Sequence, residues 1–538
     1  MNPKNLLSLA VLAATGCIDR PSEFDVVLNA SAPVVVGTSL VYLDAPTARA
    51  RVVTLSTPES PGVRVLAVGA NPTLIETRAG TPASAPEALV LSRGRRDEVG
   101  VSPEPGSLTA LAVGDAPTAR RYVFSSPYNA MAQSPDGRFV LAHYRPSSSA
   151  DRLLFNPNEI SLIDLAAAPG ATNPSTRTVR SFGGIPNRVV FAPTLNIGGV
   201  AHQLALVFSD AYVTLIDLNN PQRNEITVRL TLPEDPRAIL PQQAVFDLEG
   251  ATIYLRAQSS NDIYALRLEP VTPMAASDND YRPSINQLAA GQNPSDMALI
   301  GEPANRRLLV VSPGSVDARV IDARANTTLR VPLSAQADKI LLFEGVSPRE
   351  NAVRPRALLY ATNGVTAVSF LELNDLEARQ SQNVELVPLQ RSIRTALPLL
   401  DRGVVLFGHP TEASAAGRGA VSLLDLGRRT AAPIFSEVPL GNARFDHDRT
   451  MLWVAPQSGE RLGYIDLRSF RPGELRLDGV VRDVIPLGGG AGARSRVVAL
   501  HEARDGWVTV LDASDPQRST ARSVRGFLLS NLLSIGAE

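Results

Sequence analysis

Aliphatic residues recur along this chain in a short phrase that ends in an acidic residue followed by Leu or Ala. The phrase reads ISLIDL at 160–165, VTLIDL at 213–218 and VSLLDL at 421–426, and it returns as YIDL at 464–467 and VTVLDA at 508–513. Looser copies are VIDA at 320–323 and VSFLEL at 368–373, where Glu replaces Asp. The copies are spaced about fifty residues apart, and a fixed period of this length indicates a repeat architecture.

Each repeat predicts four short strands. In MAQSPDGRFVLA, at 131–142, a Pro-Asp-Gly turn separates two apolar segments, since Gly accepts a positive φ and Asp caps the local backbone. The Asp phrase then forms the third strand, and its Asp is expected to cap the following turn rather than to join a circle of reactive carboxylates. The segment 226–232 is typical of the fourth strand. Linkers such as LAVGANP at 66–72 and LAAGQNP at 288–294 separate the repeats.

Four antiparallel strands per repeat predict an all-β fold, a β-propeller of four-stranded blades. The chain also resembles the YVTN and WD-like propeller repeats of exported bacterial proteins over residues 30–530. The resemblance rests on SPDG at 134–137, the Asn-Pro linkers, the Asp phrases and YATNG at 360–364. It implies a fold and leaves the activity open, because such propellers host many functions.

The number of blades has two estimates. Ten third-strand markers are visible, which suggests nine or ten blades, whereas most propellers have four to eight, which favours seven or eight. The most irregular segment is 56–107, so some N-terminal units could be incomplete blades or the chain could form two propellers. We expect the first strands to pack against the C-terminal segment. The markers are Asp44, Asp115, Asp164, Asp217, Arg267, Asp322, Glu372, Asp425, Asp466 and Asp512.

The composition and the absence of common motifs argue against several classes of function. The formal net charge of the 538 residues is -1, which gives no bulk electrostatic reason to expect nucleic acid as a partner. The sequence contains no HExxH, CxxC, P-loop, GxSxG or EF-hand loop. We therefore expect no cofactor and no common form of metalloenzyme, nucleotide or hydrolase chemistry.

The N-terminus predicts export. In MNPKNLLSLAVLAATGC, Lys4 precedes an apolar run at 6–14 that is too short to span a bilayer, and small residues lead to Cys17. This arrangement resembles a bacterial lipobox, although Ala14 stands where that motif usually has Leu. The resemblance implies that Cys17, the single cysteine, is lipidated, and Ile18 after it points to the outer membrane. An ordinary signal peptide cleaved nearby is the alternative.

These segments predict three regions. A signal peptide occupies 1–16, the lipidated cysteine and a short tether occupy 17–30, and the propeller domain occupies 31–538, with irregular units up to about residue 125. The predicted location is the outer membrane, facing the periplasm or the cell surface.

Polar residues near the ends of the second strands predict a ligand-binding face. His143, His409 and His501 are candidate metal ligands, although solvation of strand ends also explains their polarity. His447, within a predicted turn, is expected to be solvated, whereas Trp453 and Trp507 are expected in the core. Long loops at 271–281 and 344–356 are further places for binding groups. The predicted ligand face comprises His143, Asp210, Gln258, Asn363, His409, Gln457 and His501.

The sequence therefore favours a non-catalytic, outer-membrane-anchored propeller lipoprotein that binds a protein, a peptide or a glycan of the cell envelope. One alternative is an enzyme of lactonase-like or quinoprotein type with a metal at a central channel. Another alternative is a structural subunit of an envelope assembly.

Overall fold

The computed structural model shows an all-β protein. It describes residues 30–55, 62–80, 85–95, 102–114, 116–145, 156–170, 173–179, 184–231, 239–346, 352–362, 364–374, 376–377, 383–410, 419–436, 438, 441–457, 459–488, 495–503, 505–514, 516 and 521–528. Among these residues, two single-turn 3-10 helices, Pro303–Asn305 and Leu400–Arg402, lie between strands. Within this part of the chain, no helix has the length and apolar character that crossing a membrane requires.

Ten four-stranded antiparallel sheets form the blades of the propeller, and the strands of each blade pair in chain order. Blade 1 contains β1 Val34–Val36, β2 Ser39–Asp44, β3 Arg49–Thr54 and β4 Gly62–Ala67. Blade 2 contains β5 Pro72–Thr77, β6 Glu87–Ser92, β7 Gly106–Ala112 and β8 Thr118–Phe124. Blade 3 contains β9 Ala130–Gln133, β10 Phe139–His143, β11 Glu159–Asp164 and β12 Ser175–Thr178.

Blade 4 carries an extra hairpin between its first and second strands. Its sheet contains β13 Arg188–Phe191, β16 Leu204–Ser209, β17 Tyr212–Asp217 and β18 Ile226–Arg229, and the hairpin pairs β14 Leu195–Ile197 with β15 Val200–His202. Blade 5 contains β19 Leu240–Asp247, β20 Thr252–Gln258, β21 Asp262–Pro270 and β22 Tyr281–Ala289. Blade 6 contains β23 Asp296–Ile300, β24 Arg307–Val311, β25 Asp317–Asp322 and β26 Thr327–Pro332.

The last four blades follow the same pattern. Blade 7 contains β27 Lys339–Val346, β28 Val353–Tyr360, β29 Ala367–Glu372 and β30 Val384–Pro388. Blade 8 contains β31 Thr395–Leu399, β32 Val404–Gly408, β33 Gly419–Asp425 and β34 Thr430–Ser436. Blade 9 contains β35 Ala443–Phe445, β36 Met451–Val454, β37 Arg461–Asp466 and β38 Arg471–Arg476. Blade 10 contains β39 Val481–Leu487, β40 Arg496–His501, β41 Trp507–Asp512 and β42 Arg522–Arg525.

The ten sheets confirm the predicted fold class and the higher of the two blade counts. The expectation of seven or eight blades was wrong, because it came from the usual size of propellers and not from the markers in this chain. Blades 1 and 2 are complete four-stranded sheets, although their sequences are the most irregular.

The alternation of side chains along each strand builds the core. Successive residues of a strand point to opposite faces, so a buried strand contributes to two separate clusters. In β16, Leu204, Leu206 and Phe208 join a cluster with blade 5, whereas Ala205 and Val207 join a cluster with blade 3. All six residues of β16 are therefore buried, which explains why the middle strands read as continuous apolar runs.

The chain contains two compact units, and each has its own core. One unit comprises the described residues of Met1–Asn129, Asn442–Leu462 and Leu475–Glu538, and the other comprises those of Ala130–Gly441 and Gly463–Glu474. In the first unit, Leu40 and Tyr42 of blade 1 pack with Val498 and Val510 of blade 10. This cluster confirms the predicted contact between the first strands and the C-terminal segment.

The Asp of the repeated phrase caps a turn, as predicted. Asp164 accepts a hydrogen bond from the amide of Ala166 at 3.0 Å, and Asp425 accepts one from the amide of Gly427 at 2.9 Å. A carboxylate that accepts from the amide two residues later satisfies a turn that would otherwise leave a donor unpaired. The same bond recurs at Asp217, Asp322, Asp466 and Asp512.

Asp44 departs from this pattern. It ends the second strand of blade 1, so its interpretation as a third-strand marker was wrong. Its carboxylate is buried and accepts from Thr47 Oγ1 at 2.7 Å and from the Arg51 guanidinium at 3.4 Å. The second strand of a blade is also apolar on both faces, so the phrase alone does not distinguish it from the third. The marker Asp115 lies outside the described residues.

Candidate functional site

The predicted ligand-face residues divide into buried and exposed groups. His143, His409 and His501 are buried at or just after the ends of their second strands. Asp210, Gln258 and Gln457 are exposed at comparable points of blades 4, 5 and 9. Asn363 and Cys17 lie outside the described residues. The three histidines belong to blades 3, 8 and 10.

His409 and His501 make equivalent hydrogen bonds inside their blades. Nδ1 of His409 donates to the Ser392 carbonyl at 2.7 Å, and Nε2 accepts from the Ser422 hydroxyl at 2.7 Å. In blade 10, Nδ1 of His501 donates to the Val480 carbonyl at 3.2 Å, and Nε2 accepts from the Thr509 hydroxyl at 2.7 Å.

Burial lowers the pKa of both imidazoles below 6.5, which favours the neutral tautomer that these bonds require. The bonds occupy both nitrogens of each ring, so in this structure the two histidines connect strands within their blades.

His143 has no such partners. Neither ring nitrogen forms a hydrogen bond with a described residue, and the residue is 1% exposed. Burial lowers the pKa of His143 to about 4, and the positive charge of Arg145 adds to the effect.

This burial predicts acid sensitivity. The unfolded chain takes up a proton at His143 near pH 6.5, whereas the folded chain does so only near pH 4. The stabilisation from the neutral folded imidazole is therefore complete above pH 6.5 and is lost as the pH falls from 6.5 towards 4. The wild-type chain should lose free energy of unfolding between pH 7 and pH 4.5, and in His143→Leu this loss should be smaller by about 2–3 kcal/mol. Denaturant titration at each pH measures the free energy of unfolding.

Replacing His447, which is exposed, by Leu supplies the control, because it leaves the buried imidazole in place. An identical pH dependence in the His143→Leu variant and the wild-type chain would contradict the assignment.

One cluster of potential metal ligands lies elsewhere. Among the described residues, His202, Asp217 and Asp280 form the one group of three whose ligand atoms all lie within 4.8 Å of one another. Nδ1 of His202 is 3.1 Å from Asp217 Oδ2, and Nε2 is 3.5 Å from Asp280 Oδ1. Arg223 Nη1 lies 2.7 Å from the same Asp280 oxygen. None of the three predicted metal candidates belongs to this cluster.

Asp217 is held as an anion within the cluster. Burial opposes its ionisation, but hydrogen bonds from His202, from the Asn220 side chain and from the Asn219 amide outweigh burial and lower its pKa. Burial raises the pKa of the neighbouring Tyr281, and the charges of Asp217 and Asp280 raise it further. A buried anion that is stabilised in this way attracts a positive group.

A second candidate site is a cavity of about 870 Å³ in the first unit. We call it the blade-10 cavity. The segment 30–33 forms one wall, where the Ser31 amide donates to the Leu43 carbonyl at 2.8 Å. The rest of its lining includes Tyr42, Arg482, Leu500, His501, Glu502, Trp507 and Leu528.

Two opposite charges line the blade-10 cavity. Arg482 and Glu502 are exposed, and neither side chain forms an ion pair or a side-chain hydrogen bond with a described residue. Arg482 is the extra residue of a β-bulge, because Val481 pairs with His501 and Asp483 pairs with Leu500. A bulge redirects a side chain away from the regular alternation of a strand. The carboxylate of the neighbouring Asp483 forms an ion pair with Arg444 at 3.0 Å.

Trp507 lines the cavity and has a neighbour over its ring from each flanking strand, His501 of β40 and Arg525 of β42. His501 stacks on one face with ring centroids 4.3 Å apart, and the Arg525 guanidinium lies 3.6 Å from the indole centroid. The indole Nε1 donates to Ser523 Oγ at 2.7 Å. Trp507 was predicted in the core, but it is only partly buried and lines the cavity, whereas Trp453 is 1% exposed, as expected. The stacked indole forms a rigid wall.

Part of these two sites could be predicted from the sequence. His501 and the loop at 271–281 that supplies Asp280 were predicted near binding groups, whereas His202, Arg482 and Glu502 were not predicted. The signal for His202 was the extra hairpin, which lengthens the connection between β13 and β16 beyond that of the other blades. Arg482 carries no local signal, because a bulge is defined by the partner strand.

No family model matches the chain, and no curated protein matches it. Solved structures that resemble it include dihydro-heme d1 dehydrogenase NirN in complex with DHE, at 14% identity over 74% of each chain and a TM-score of 0.41. Hydrazine synthase of Kuenenia stuttgartiensis matches at 14% identity over 51% of this chain and 77% of its own, with a TM-score of 0.29. Apo AztD from Citrobacter koseri matches at 12% identity over 73% and 95%, with a TM-score of 0.32. At this level of identity and superposition, none of them informs on what this chain binds or does.

Proposed function

We propose that this propeller is a non-catalytic lipoprotein of the outer membrane that binds a peptide segment of an envelope protein in the blade-10 cavity. The observation that carries the proposal is the pair of unpartnered charges, Arg482 and Glu502, beside the apolar groups of Tyr42, Leu500 and Leu528. A concave site with an apolar lining and a few polar groups is typical of a ligand pocket.

The cavity favours a peptide over a glycan. A sugar ring that stacks on an aromatic side chain needs one free face of that side chain, and the Trp507 ring is already in contact with His501 and with its strand partner Arg525. A peptide can instead place a carboxylate on Arg482, an amine on Glu502 and an apolar side chain against Leu500 and Leu528. Charge-assisted hydrogen bonds of this kind are stronger than neutral ones and fix the orientation of the ligand.

The proposed anchor is compatible with this role. The cavity wall begins at Ala30, 13 residues after the proposed lipidation site at Cys17. A fully extended chain of that length reaches at most about 45 Å. The cavity would then remain close to the membrane surface, where it would meet other envelope proteins.

Reversing the charge of Arg482 tests the role of the cavity. We expect Arg482→Glu to reduce recovery of the bound envelope protein at least about tenfold, because one charge-assisted hydrogen bond contributes about 1.5–3 kcal/mol. The measurement is crosslinking in native membranes, affinity purification and quantitative mass spectrometry.

Arg64→Glu, at an exposed arginine of blade 1, is the matched control and should leave recovery unchanged. Equal recovery with both variants, or recovery of the chain alone from wild-type membranes, would contradict the proposal.

A further inference from the structure

Three separate elements bring His202, Asp217 and Asp280 together. His202 ends the extra hairpin of blade 4, Asp217 ends the third strand of that blade, and Asp280 ends the long connection between β21 and β22 of blade 5. The hairpin is an addition to the repeat, and the connection is longer than a simple turn. The repeat therefore supplies Asp217, and the hairpin and the long connection add His202 and Asp280.

Asp217 also differs from its counterparts in the repeat. The side chain of Asp217 is 0% exposed, whereas those of Asp164 and Asp425 are 28% and 37% exposed. All three aspartates cap the same turn, so capping does not explain the burial. Burying a carboxylate is costly unless a positive group or a set of donors compensates it.

The ring of His202 is oriented by Asp217. Nδ1 donates to the Asp217 carboxylate at 3.1 Å, which directs Nε2 towards Asp280 Oδ1 at 3.5 Å. Nε2 is buried and forms no hydrogen bond with a described residue. In the neutral tautomer with hydrogen on Nδ1, the lone pair of Nε2 faces a carboxylate oxygen, so a cation between the two atoms would be favourable.

The separation of these two atoms fits a metal ion. Zinc binds imidazole nitrogen and carboxylate oxygen at about 2.0–2.2 Å, and a tetrahedral angle then places the two ligand atoms roughly 3.4 Å apart. The observed separation of Nε2 and Oδ1 is 3.5 Å. A carboxylate that holds the other nitrogen of a metal-binding imidazole is a common outer-shell arrangement.

We propose that this cluster binds one divalent transition-metal ion of the zinc class, with His202 Nε2 and the Asp280 carboxylate as ligands and Asp217 orienting the imidazole. Water completes the coordination. A cavity of about 260 Å³ lies close to the cluster and is lined by Asn279 and Tyr281, the two sequence neighbours of Asp280. The site is distinct from the blade-10 cavity and does not depend on the proposed function.

Arg223 competes with the metal. Its Nη1 lies 2.7 Å from Asp280 Oδ1 and 4.0 Å from Asp217 Oδ2, so it neutralises part of the same charge. The side chain is 21% exposed and borders solvent into which it can withdraw. Removing this guanidinium should therefore tighten metal binding. If the cluster is instead an imidazolium between two carboxylates, removing the guanidinium should not produce metal binding.

Zinc titration of the full-length chain in detergent, after removal of metal with a chelator, tests the proposal. The readouts are zinc stoichiometry by elemental analysis and affinity by competition with a zinc-sensitive dye. We expect one equivalent in the wild-type chain, at least about tenfold weaker binding in Asp280→Asn and His202→Gln, and tighter binding in Arg223→Gln.

His447→Gln is the control for adventitious binding at the exposed histidine and should bind as the wild-type chain does. If His202→Gln fails to fold, Asp280→Asn decides the result. The Asp280 side chain is 21% exposed, and the Asn side chain has nearly the same shape, so this variant should fold. Absence of zinc from the wild-type chain, or wild-type affinity in Asp280→Asn, would overturn the proposal.

Discussion

Replacing Glu372 by Gln is expected to lower the free energy of unfolding by about 3–5 kcal/mol, because it leaves the buried Arg356 guanidinium without its carboxylate, whereas Arg429 keeps Glu385. Glu372 contacts Arg356 Nε at 3.0 Å and Arg429 Nη2 at 2.6 Å. The Arg356 side chain is 0% exposed and lies 5.4 Å from the ring centroids of both Phe343 and Phe370. Glu372 is the residue that replaces Asp in the repeated phrase, and its longer side chain binds these two arginines.

Glu460→Gln is the matched control. Glu460 pairs with Arg476 at 3.3 Å, but their side chains are 43% and 80% exposed, and an exposed pair contributes about 0–1 kcal/mol. Denaturant unfolding compares the two variants. It is followed by far-ultraviolet circular dichroism and not by tryptophan fluorescence, because neither tryptophan lies in blade 7. Equal unfolding midpoints for Glu372→Gln and Glu460→Gln would show that the buried arginines do not depend on Glu372.

Replacing Cys17 by Ser is expected to move nearly all of the protein from the outer-membrane fraction to the soluble exported fraction. A lipid anchor with several acyl chains holds a protein at a membrane far more firmly than one chain does, and Ser offers no thiol to modify. Membrane fractionation on a density gradient and mass spectrometry of the N-terminal peptide measure the change.

Thr15→Ser, a conservative change inside the proposed signal, is the control and should leave the distribution unchanged. Equal distributions of the Cys17→Ser and wild-type proteins would support an ordinary signal peptide and contradict lipidation.

The fold was largely readable from the sequence because two physical demands coincide in each repeat. The third strand must be apolar on both faces, and its last residue must accept an amide hydrogen bond, so the phrase that contains Asp164 or Asp425 is easily recognised. In blade 1 the same pattern occurs in the second strand, where Asp44 binds Arg51 instead of capping a turn. Only strand pairing separates the two cases.

The candidate sites were less readable, because their residues come together through tertiary structure. His501 is positioned by its strand and was predicted on a ligand-binding face. Arg482 and Glu502 instead line the cavity because a bulge positions Arg482 and a loop positions Glu502. His202 and Asp280 are far apart in sequence, and His202 belongs to a hairpin that has no counterpart in the other described blades. Spacing rules detect ligands on one element and do not detect this arrangement.

Site-specific photo-crosslinking in intact cells tests the proposed binding function most directly. A photoreactive amino acid at position 503 probes the blade-10 cavity, because Ala503 lines it and leaves Arg482 and Glu502 in place. One at position 274 is the control, because Met274 is 98% exposed and lies in the other unit. We predict a covalent adduct with a peptide segment of an envelope protein at position 503 and no such adduct at position 274. No adduct at position 503, the same adduct at both positions, or an adduct with a carbohydrate would contradict a peptide-binding cavity.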